Sequence, residues 1–534
     1  MKRIILVLCI IFCSISQAQE KPKLVVGIIV DQMRYDYVYR FWSQFGENGF
    51  KKLVNEGFFL RNTHYNFTPT YTGPGHASIF TGTTPSVHGI IGNNWYNKSD
   101  GLSVYCAGDG NSTTVCDCDN HIDVESKAGK MSPHRMLSTT FSDELKLFSP
   151  QSKVFGISIK DRGAILPAGH TANGAFWMGK SGEWISSSYY YEQLPEWLIE
   201  FQQKKPATSY FKRAWKGRGF GYPMDSLLAS KGPASVKSTP QGNTYLKDLA
   251  IELIKSEELG KDKITDVLTL SFSSTDYIGH QFGPHSQELI DTYIKLDKDI
   301  AEILKYINST IGQENALIFL TADHGVVSVP NELKVRKIPA GYFDASNLTN
   351  ELNNYLNKRY IKLSQPKVFG AELISPNNQN SFVLKYSNQQ FYLNHKLIKQ
   401  QKISLQEIQQ LVADYLIGIE GIQNTFTAYQ LHHNEYQNKF YSLIQKGFNQ
   451  KRSGDVIITL NSGWIEWNSP TGTTHGSCFS YDTHVPLLFW GKGIQQGFSD
   501  EYISICDIAP TVSTLLGISF PNGCTGQPIR IITE

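Results

Sequence analysis

Leu24-Val25-Val26-Gly27-Ile28-Ile29-Val30 is an unbroken apolar run that stops at Asp31. A strand buried on both faces of a parallel sheet has this pattern, because helices cover both faces and neither set of side chains meets water. Open α/β sheets hold ligands beyond the carboxyl ends of their strands, which is where Asp31 falls. The pattern recurs. Residues 154–159 run into Lys160-Asp161-Arg162, residues 267–272 into Ser273-Ser274-Thr275-Asp276 and then His280, and residues 316–321 into Asp323-His324-Gly325. Residues 485–490 read as a further strand, with His475 upstream. Helical patterns lie between, as at 248–255 and 287–307. The expected fold is α/β, a central, mostly parallel sheet flanked by helices. One terminal Asp is most simply a turn or helix cap. Four apolar strands that each end in metal-capable or cationic side chains are hard to explain by packing.

The rhythm breaks between residues 329 and 469, which are richer in Asn and Gln. Helix-like stretches at 346–360 and 404–418 and a strand-like one at 454–467 mark an inserted α+β subdomain. It interrupts a catalytic domain made of 19–328 and 470–534. His395, His432 and His433 within it read as surface residues. Farther on, Asp507 is expected to cap a short helix beginning at Ile508.

Lys2-Arg3, an apolar stretch over 4–13 and the small-x-small site Ser16-Gln17-Ala18 make residues 1–18 a signal peptide. The mature chain is expected to be secreted or periplasmic, without a stable membrane anchor. Six cysteines remain, and an even number in an exported protein reads as disulfides. The expected pairs are Cys106 with Cys116 or Cys118, and Cys506 with Cys524. The net charge of +2 gives no reason to expect nucleic acid as a partner. Oligomeric state is not written in the sequence, and nothing in it requires more than a monomer.

Thr70-Tyr71-Thr72-Gly73-Pro74-Gly75-His76 reads as a turn that feeds a helix, with Pro74 suited to the first helical position. Thr72 then falls at or just before a helix N-terminus, where its hydroxyl is either a cap or a nucleophile. The candidates together are Asp31, Thr72, Asp276, His280, Asp323, His324 and His475. Asp276 and His280 are one helical turn apart and can face one point. Imidazole nitrogens and carboxylates suit zinc, and these donors are too many for one four-coordinate ion but fit two. Each residue alone has a plainer reading: Asp31 or Asp323 as a cap, His324 as a satisfied buried histidine. His475 and His484 compete for one ligand role. Gly472, Thr473, Thr474 and Gly476 let the backbone bend and favour His475, which leaves His484 and Asp482 in support or packing. His76 and His88 flank turns and read as structural.

In this order Asp31, Thr72-Gly73-Pro74-Gly75-His76, Asp276-x-x-x-His280, Asp323-His324-Gly325 and Thr474-His475-Gly476 resemble the alkaline phosphatase superfamily. Thr72, Asn93 in Gly92-Asn93-Asn94-Trp95-Tyr96, and Lys160-Asp161-Arg162 resemble its phosphate-irrepressible, PafA-type alkaline phosphatases. The resemblance implies two zinc ions, one held by Asp276, His280 and His475, the other by Asp31, Asp323 and His324 with Thr72. It implies that Thr72 attacks phosphorus to form a phosphothreonine, that Asn93, Lys160 and Arg162 hold the phosphoryl oxygens, and that the substrates are small phosphate esters. A phosphodiesterase or nucleotide pyrophosphatase with the same metal site is the nearest alternative. Lys160 and Arg162 favour the dianionic monoester over it. A sulfatase needs Cys or Ser with Pro two and Arg four positions on, and here the residues are Thr72, Pro74 and His76. A non-catalytic metal-binding protein would have no use for Thr72, Lys160 and Arg162. The pocket wall beyond the phosphate is expected to mix aromatic-rich segments with parts of the insert.

Overall fold

The computed structural model of the chain describes residues 20–117, 127–361 and 381–534. The signal segment, residues 1–18, and Cys118 lie outside the described residues. The strands that matter for the site are, in chain order, β1 (Leu24–Val30), β2 (Phe58–His64), β3 (Thr114–Val115), β4 (Val154–Ser158), β5 (Gly174–Met178), β6 (Trp184–Ser187), β7 (Asp266–Phe272), β8 (Ala316–Thr321), β9 (Val383–Ser387), β10 (Gln390–Leu393), β11 (Ile422–Thr427), β12 (Val456–Leu460), β13 (His484–Gly491) and β14 (Gly497–Ser504).

The main sheet has the order β14-β2-β13-β8-β1-β7-β4-β5-β6-β3. Its middle strands, β8-β1-β7-β4-β5, are all parallel, in the register Leu317–Val25–Val267–Val154 across β8, β1, β7 and β4. Every residue of β1, β7 and β8 is buried, as their continuous apolar runs require. β13 runs antiparallel to both β8 and β2. The stretch at 485–490 is therefore a strand of the sheet, but one that points the other way.

The helices that frame the site are α1 (Thr72–Thr81), α2 (Asp161–Ala168), α3 (Pro240–Ser256), α4 (Ser274–Phe282) and α5 (Gln287–Thr310). α5 buries Leu289, Tyr293, Leu296, Ile300, Ile303, Leu304 and Ile307, a stripe at three- and four-residue spacing that packs on the sheet. α1 is buried along its whole length and is built mainly from small residues. Gly75 shows why: a Cβ there would stand 2.3 Å from the carbonyl oxygen of Asp323. Residues between β8 and β13 form a second antiparallel sheet, β9-β10-β12-β11, with its own apolar core. α6 (Leu348–Tyr360) and α7 (Leu405–Leu416) cover it through Leu352, Leu356, Ile408, Val412 and Leu416.

Some local expectations change. Thr72 is the first residue of α1, Tyr71 holds the cap position and Pro74 is the third helical residue. The Thr72 side chain makes no cap hydrogen bond, because a hydroxyl inside the first turn points away from the free N–H groups. Asp507 holds the cap position of Ile508–Leu516, but its carboxylate accepts from the N–H groups of Ser504 and Gln527 instead, closing a capping box on the one-turn helix Ile505–Asp507. Cys106, Cys478, Cys506 and Cys524 are free thiols, so Cys106 pairs with neither Cys116 nor Cys118, and Cys506 is not bonded to Cys524. Cys506 donates instead to the Thr83 carbonyl at 3.3 Å, and Cys106 packs among Ile90, Ile91 and Trp95. Cys116 is itself disulfide-bonded. Among the described residues no helix is long and apolar enough to cross a membrane.

Candidate active site

The carboxyl ends of β1, β7 and β8 deliver the candidates to one place. The Asp31 N–H continues the ladder by donating to the Phe272 carbonyl at 3.0 Å. Gln32 follows with φ of 65°. That left-handed turn sends its N–H to Asp323 Oδ1 at 3.1 Å and its Nε2 to Asp276 Oδ1 at 2.7 Å, tying three strand ends together. After β7, α4 begins at Ser274 and places Asp276 and His280 on one face, with His280 Nε2 3.1 Å from Asp276 Oδ1. After β8, His324 Nε2 lies 3.4 Å from Asp323 Oδ2 and 3.6 Å from Asp31 Oδ1. His475 comes from the loop before β13. Its Nε2 is 3.7 Å from Asp276 Oδ1, and its ring stacks on His324 with centroids 3.5 Å apart. Gly476 has φ of 119°, and a Cβ there would meet the Tyr71 ring at 2.5 Å. Asp482 accepts from the N–H groups of Gly476 and Ser477 and fixes that loop.

One detail recurs at all three histidines. Nδ1 of His280, His324 and His475 lies 2.7, 3.0 and 2.7 Å from the carbonyls of Thr473, Gly325 and Thr70. A carbonyl only accepts, so Nδ1 carries the proton; in His324 and His475 Nε2 then keeps a lone pair, while His280 Nε2 faces Asp276 Oδ1, whose charge raises the His280 pKa. Histidines that ligate metals are held this way.

Thr72 Oγ1 lies 3.5 Å from His324 Nε2 and 3.5 Å from Arg162 Nη2. Asn93 Oδ1 accepts from the Gly73 N–H at 2.8 Å, which sets the amide against the start of α1. Arg162, in the first turn of α2, donates through Nη1 to the Tyr105 hydroxyl at 3.1 Å, and that hydroxyl also bonds Asp161. Lys160 sits among the acids: its Nζ is 2.7 Å from Asp31 Oδ2 and 2.6 Å from Asp276 Oδ2.

Burial dominates the electrostatics. It pushes the Asp31 carboxyl well above the usual range, helped by the charges of Asp276 and Asp323. Burial also lifts Asp323 to about 6. Asp276 goes the other way: His280 and Lys160 more than offset its burial and hold it well below the carboxylate range. Burial drives His324 down to about 4, and with His324 and His280 as neighbours drives His475 down as well, so both imidazoles are neutral.

Neutral imidazoles and crowded carboxylates are the donor set of a divalent cation site. Two groups of donors each lie within 4.8 Å of one another, Asp276-His280-His475 and Asp31-Asp276-His324, with Asp276 common to both. Among the described residues Asp31 Oδ1 and Asp323 Oδ2 have no hydrogen-bond donor, and Asp31 Oδ2 has only the Lys160 ammonium at 2.7 Å. Buried oxygens left this way are costly unless something positive occupies their free sides. The residues therefore fit metal binding.

Gln32, Tyr105 and His76 belong to this site and were not singled out as candidates for it. His76 donates from Nδ1 to the Thr72 carbonyl and accepts at Nε2 from Ser271, both at 2.8 Å, and lies 3.4 Å from Asp323. It braces the start of α1 from below, a role visible in sequence only as a four-residue spacing from Thr72. His484 lies apart, stacked between Tyr35 and His64, with Nε2 donating to the Arg61 carbonyl.

Residues 25–479 match the type I phosphodiesterase / nucleotide pyrophosphatase family. The chain is 38% identical to a Myroides odoratus protein named calcium-transporting ATPase, over 97% of this chain and 96% of that one. It is 37% identical to alkaline phosphatase PafA of Elizabethkingia meningoseptica (96% and 95% covered). It is 38% identical to alkaline phosphatase PhoV of Synechococcus elongatus (98% and 98%). A solved structure of a PafA variant with a threonine, an asparagine, a lysine and an arginine replaced superposes with a TM-score of 0.86 at 36% identity, covering 96% of this chain and 98% of that one. The fold, the polar strand ends and these likenesses agree: the chain belongs to the type I phosphodiesterase / nucleotide pyrophosphatase family and, within it, to the alkaline phosphatases of the PafA and PhoV kind.

Proposed function

We propose that the chain hydrolyses small phosphate monoesters with Thr72 as nucleophile. In this reading two zinc ions are held by Asp276, His280 and His475 and by Asp31, Asp323 and His324, with Thr72 beside the second. The observation that carries it is the meeting of buried carboxylate oxygens short of donors and three imidazole Nε2 atoms beside one uncapped hydroxyl at the start of a helix. Such ions, when bound, neutralise the acids and polarise the phosphoryl group.

The chain's own groups then have separable tasks. Arg162, anchored by Tyr105, reaches past the Thr72 hydroxyl to a phosphoryl oxygen. Asn93, with Oδ1 occupied by Gly73, keeps Nδ2 as its free donor. Lys160 turns from Asp31 and Asp276 towards the substrate's second negative charge once those acids are otherwise neutralised. Thr72 attacks phosphorus in line. The bond to the alcohol oxygen breaks, its electron pair leaves with that oxygen, the proton given up by the Thr72 hydroxyl ends on it to make the alcohol, and a phosphothreonine remains. Water attacks this intermediate, phosphate departs, and the hydroxyl is restored. Support comes from the PafA variant: its replaced threonine and asparagine are 21 positions apart and its lysine and arginine two apart, as are Thr72 and Asn93, and Lys160 and Arg162, here. We propose further that residues 1–18 direct export and that residues 329–469 act as one inserted subdomain.

Diester hydrolysis is the competing reading, and the pair Lys160 and Arg162 weighs against it, because a diester carries one charge fewer. The test is a panel of phosphate monoesters and diesters, with metal content measured in the same preparation. Faster monoester turnover with about two zinc ions per chain is expected. Faster diester turnover, or full activity in metal-free protein, would overturn the reading.

A further inference from the structure

A cavity of 280 Å³ opens beside His475 and Asn93, between the carboxyl edge of the main sheet and the inserted strands β10 and β12. The rings of Tyr71, Trp464 and Tyr481 line it, and no lysine or arginine does so among the described residues. It has two carboxyl groups. Asp482 accepts at Oδ2 from Gly476 and Ser477 and lies within reach of the Arg34 charge, although no donor bonds its Oδ1 among the described residues. Glu466 accepts from the Tyr386 hydroxyl and has no cation beside it among the described residues. On its other side Glu466 borders a second hollow, lined with Asp344 and Trp467 and again without a cation. The cavity wall is fastened to the phosphate site. The turn between β9 and β10 carries Asn388 and Gln389 at φ of 53° and 60°, and Asn388 donates from Nδ2 to the Asn94 carbonyl, next to Asn93.

We propose that this cavity receives the alcohol part of the substrate and selects phosphate monoesters whose alcohol carries an ammonium group, with Glu466 as the counter-charge. This rests on the phosphatase reading above and adds the substrate class. An ammonium group gains from an uncompensated carboxylate in a shielded space and from aromatic walls. A second anion in the same place would lose its water and find no donor cation.

The test uses the metal-loaded enzyme and three probes: phosphocholine, its uncharged isostere 3,3-dimethylbutyl phosphate, and phosphoglycolate. The isostere separates charge from shape. We expect kcat/KM in the order given, with phosphocholine ahead of the isostere by roughly tenfold, the factor for one charged hydrogen-bond or cation–aromatic contact. Glu466→Gln should remove most of that advantage. Gln389→Lys, which adds a cation to the cavity lining, should lower the same ratio and raise phosphoglycolate relative to the isostere, and it serves if Glu466→Gln does not fold. A wild-type ratio near one, or a ratio that neither variant moves, overturns the proposal. Failure of the phosphatase reading looks different: none of the three esters is hydrolysed, or hydrolysis survives Thr72→Ala.

Discussion

Two buried aspartates stand beside histidines in this molecule, and their surroundings are opposite. Asp455, in the inserted sheet, is 1% exposed and fully provided for. Leu393 N–H donates to its Oδ2 at 2.8 Å, and His395 and Gln409 donate to Oδ1 at 2.7 and 3.4 Å. Burial pushes that carboxyl up, but His395 and Lys98 more than offset it, and it sits below the usual range. Asp31, at the end of β1, is equally buried, has only the Lys160 ammonium, 2.7 Å from Oδ2, with no donor on Oδ1 among the described residues, and is pushed well above that range. A carboxylate kept for stability is satisfied where it lies. In the proposed function the one short of donors, at the open edge of the parallel sheet, serves a cation and a reaction.

The largest effect that bears on this contrast comes from the hydroxyl among the unsatisfied groups. Thr72→Ala should lower kcat/KM on an aryl phosphate by roughly three to six powers of ten with an unchanged circular dichroism spectrum. Thr72→Ser, which keeps a hydroxyl, should retain part of the activity. Next are the cations. Replacing Lys160 and Arg162 together by Ala should cost monoester turnover roughly two to four powers of ten, at about 1.5–3 kcal/mol each if the effects add. Diester turnover should fall much less, and an unchanged ratio of the two rates would make the pair structural.

The contrast itself is broken or kept by a matched pair of variants. Asp31→Asn should reduce bound zinc and leave the metal-free chain as stable as the wild type or more so. Asp455→Asn should keep its zinc and lose about 1–3 kcal/mol, the cost of unpairing buried donors, read from urea unfolding. The reverse pattern would mean that Asp31 is structural. The smallest effect is the pH dependence. Asp455 has a depressed folded pKa, so its contribution is present above the unfolded value of about 3.9 and is lost as pH falls further. The deficit of Asp455→Asn should therefore hold from pH 7 down to about 4 and then shrink. Asp31 has a raised folded pKa, so its ionisation costs stability as pH rises. Any gain from Asp31→Asn in the metal-free chain should be greatest near neutral pH and fade towards pH 4.

The parallel core of the sheet was legible because double-sided burial writes itself as apolar runs, and β1, β4, β7 and β8 all carry it. The ends of those runs named the residues that the fold gathers, since Asp31, Asp276 and Asp323 leave their strands on one side. Strand direction is not written in hydropathy, so β13 could be found but not oriented. β2 was missed because Arg61 and Asn62 interrupt its pattern at a bulge towards the sheet edge. Gln32 was hidden because its part depends on a positive φ after β1, and Tyr105 because its hydroxyl arrives from a hairpin far from α2 in sequence. The cysteine pairs failed for a related reason. An even count says nothing of separation, and Cys506 spends its thiol on the Thr83 carbonyl.

In the proposed function Thr72 carries the chemistry, and that role can be caught in the act. Metal-loaded enzyme mixed with a fast monoester substrate, quenched in acid within a turnover and digested for mass mapping, should yield phosphate on the peptide that contains Thr72, and none in Thr72→Ala. Phosphate on another residue of a quenched, active enzyme would contradict the assignment of Thr72 as the nucleophile.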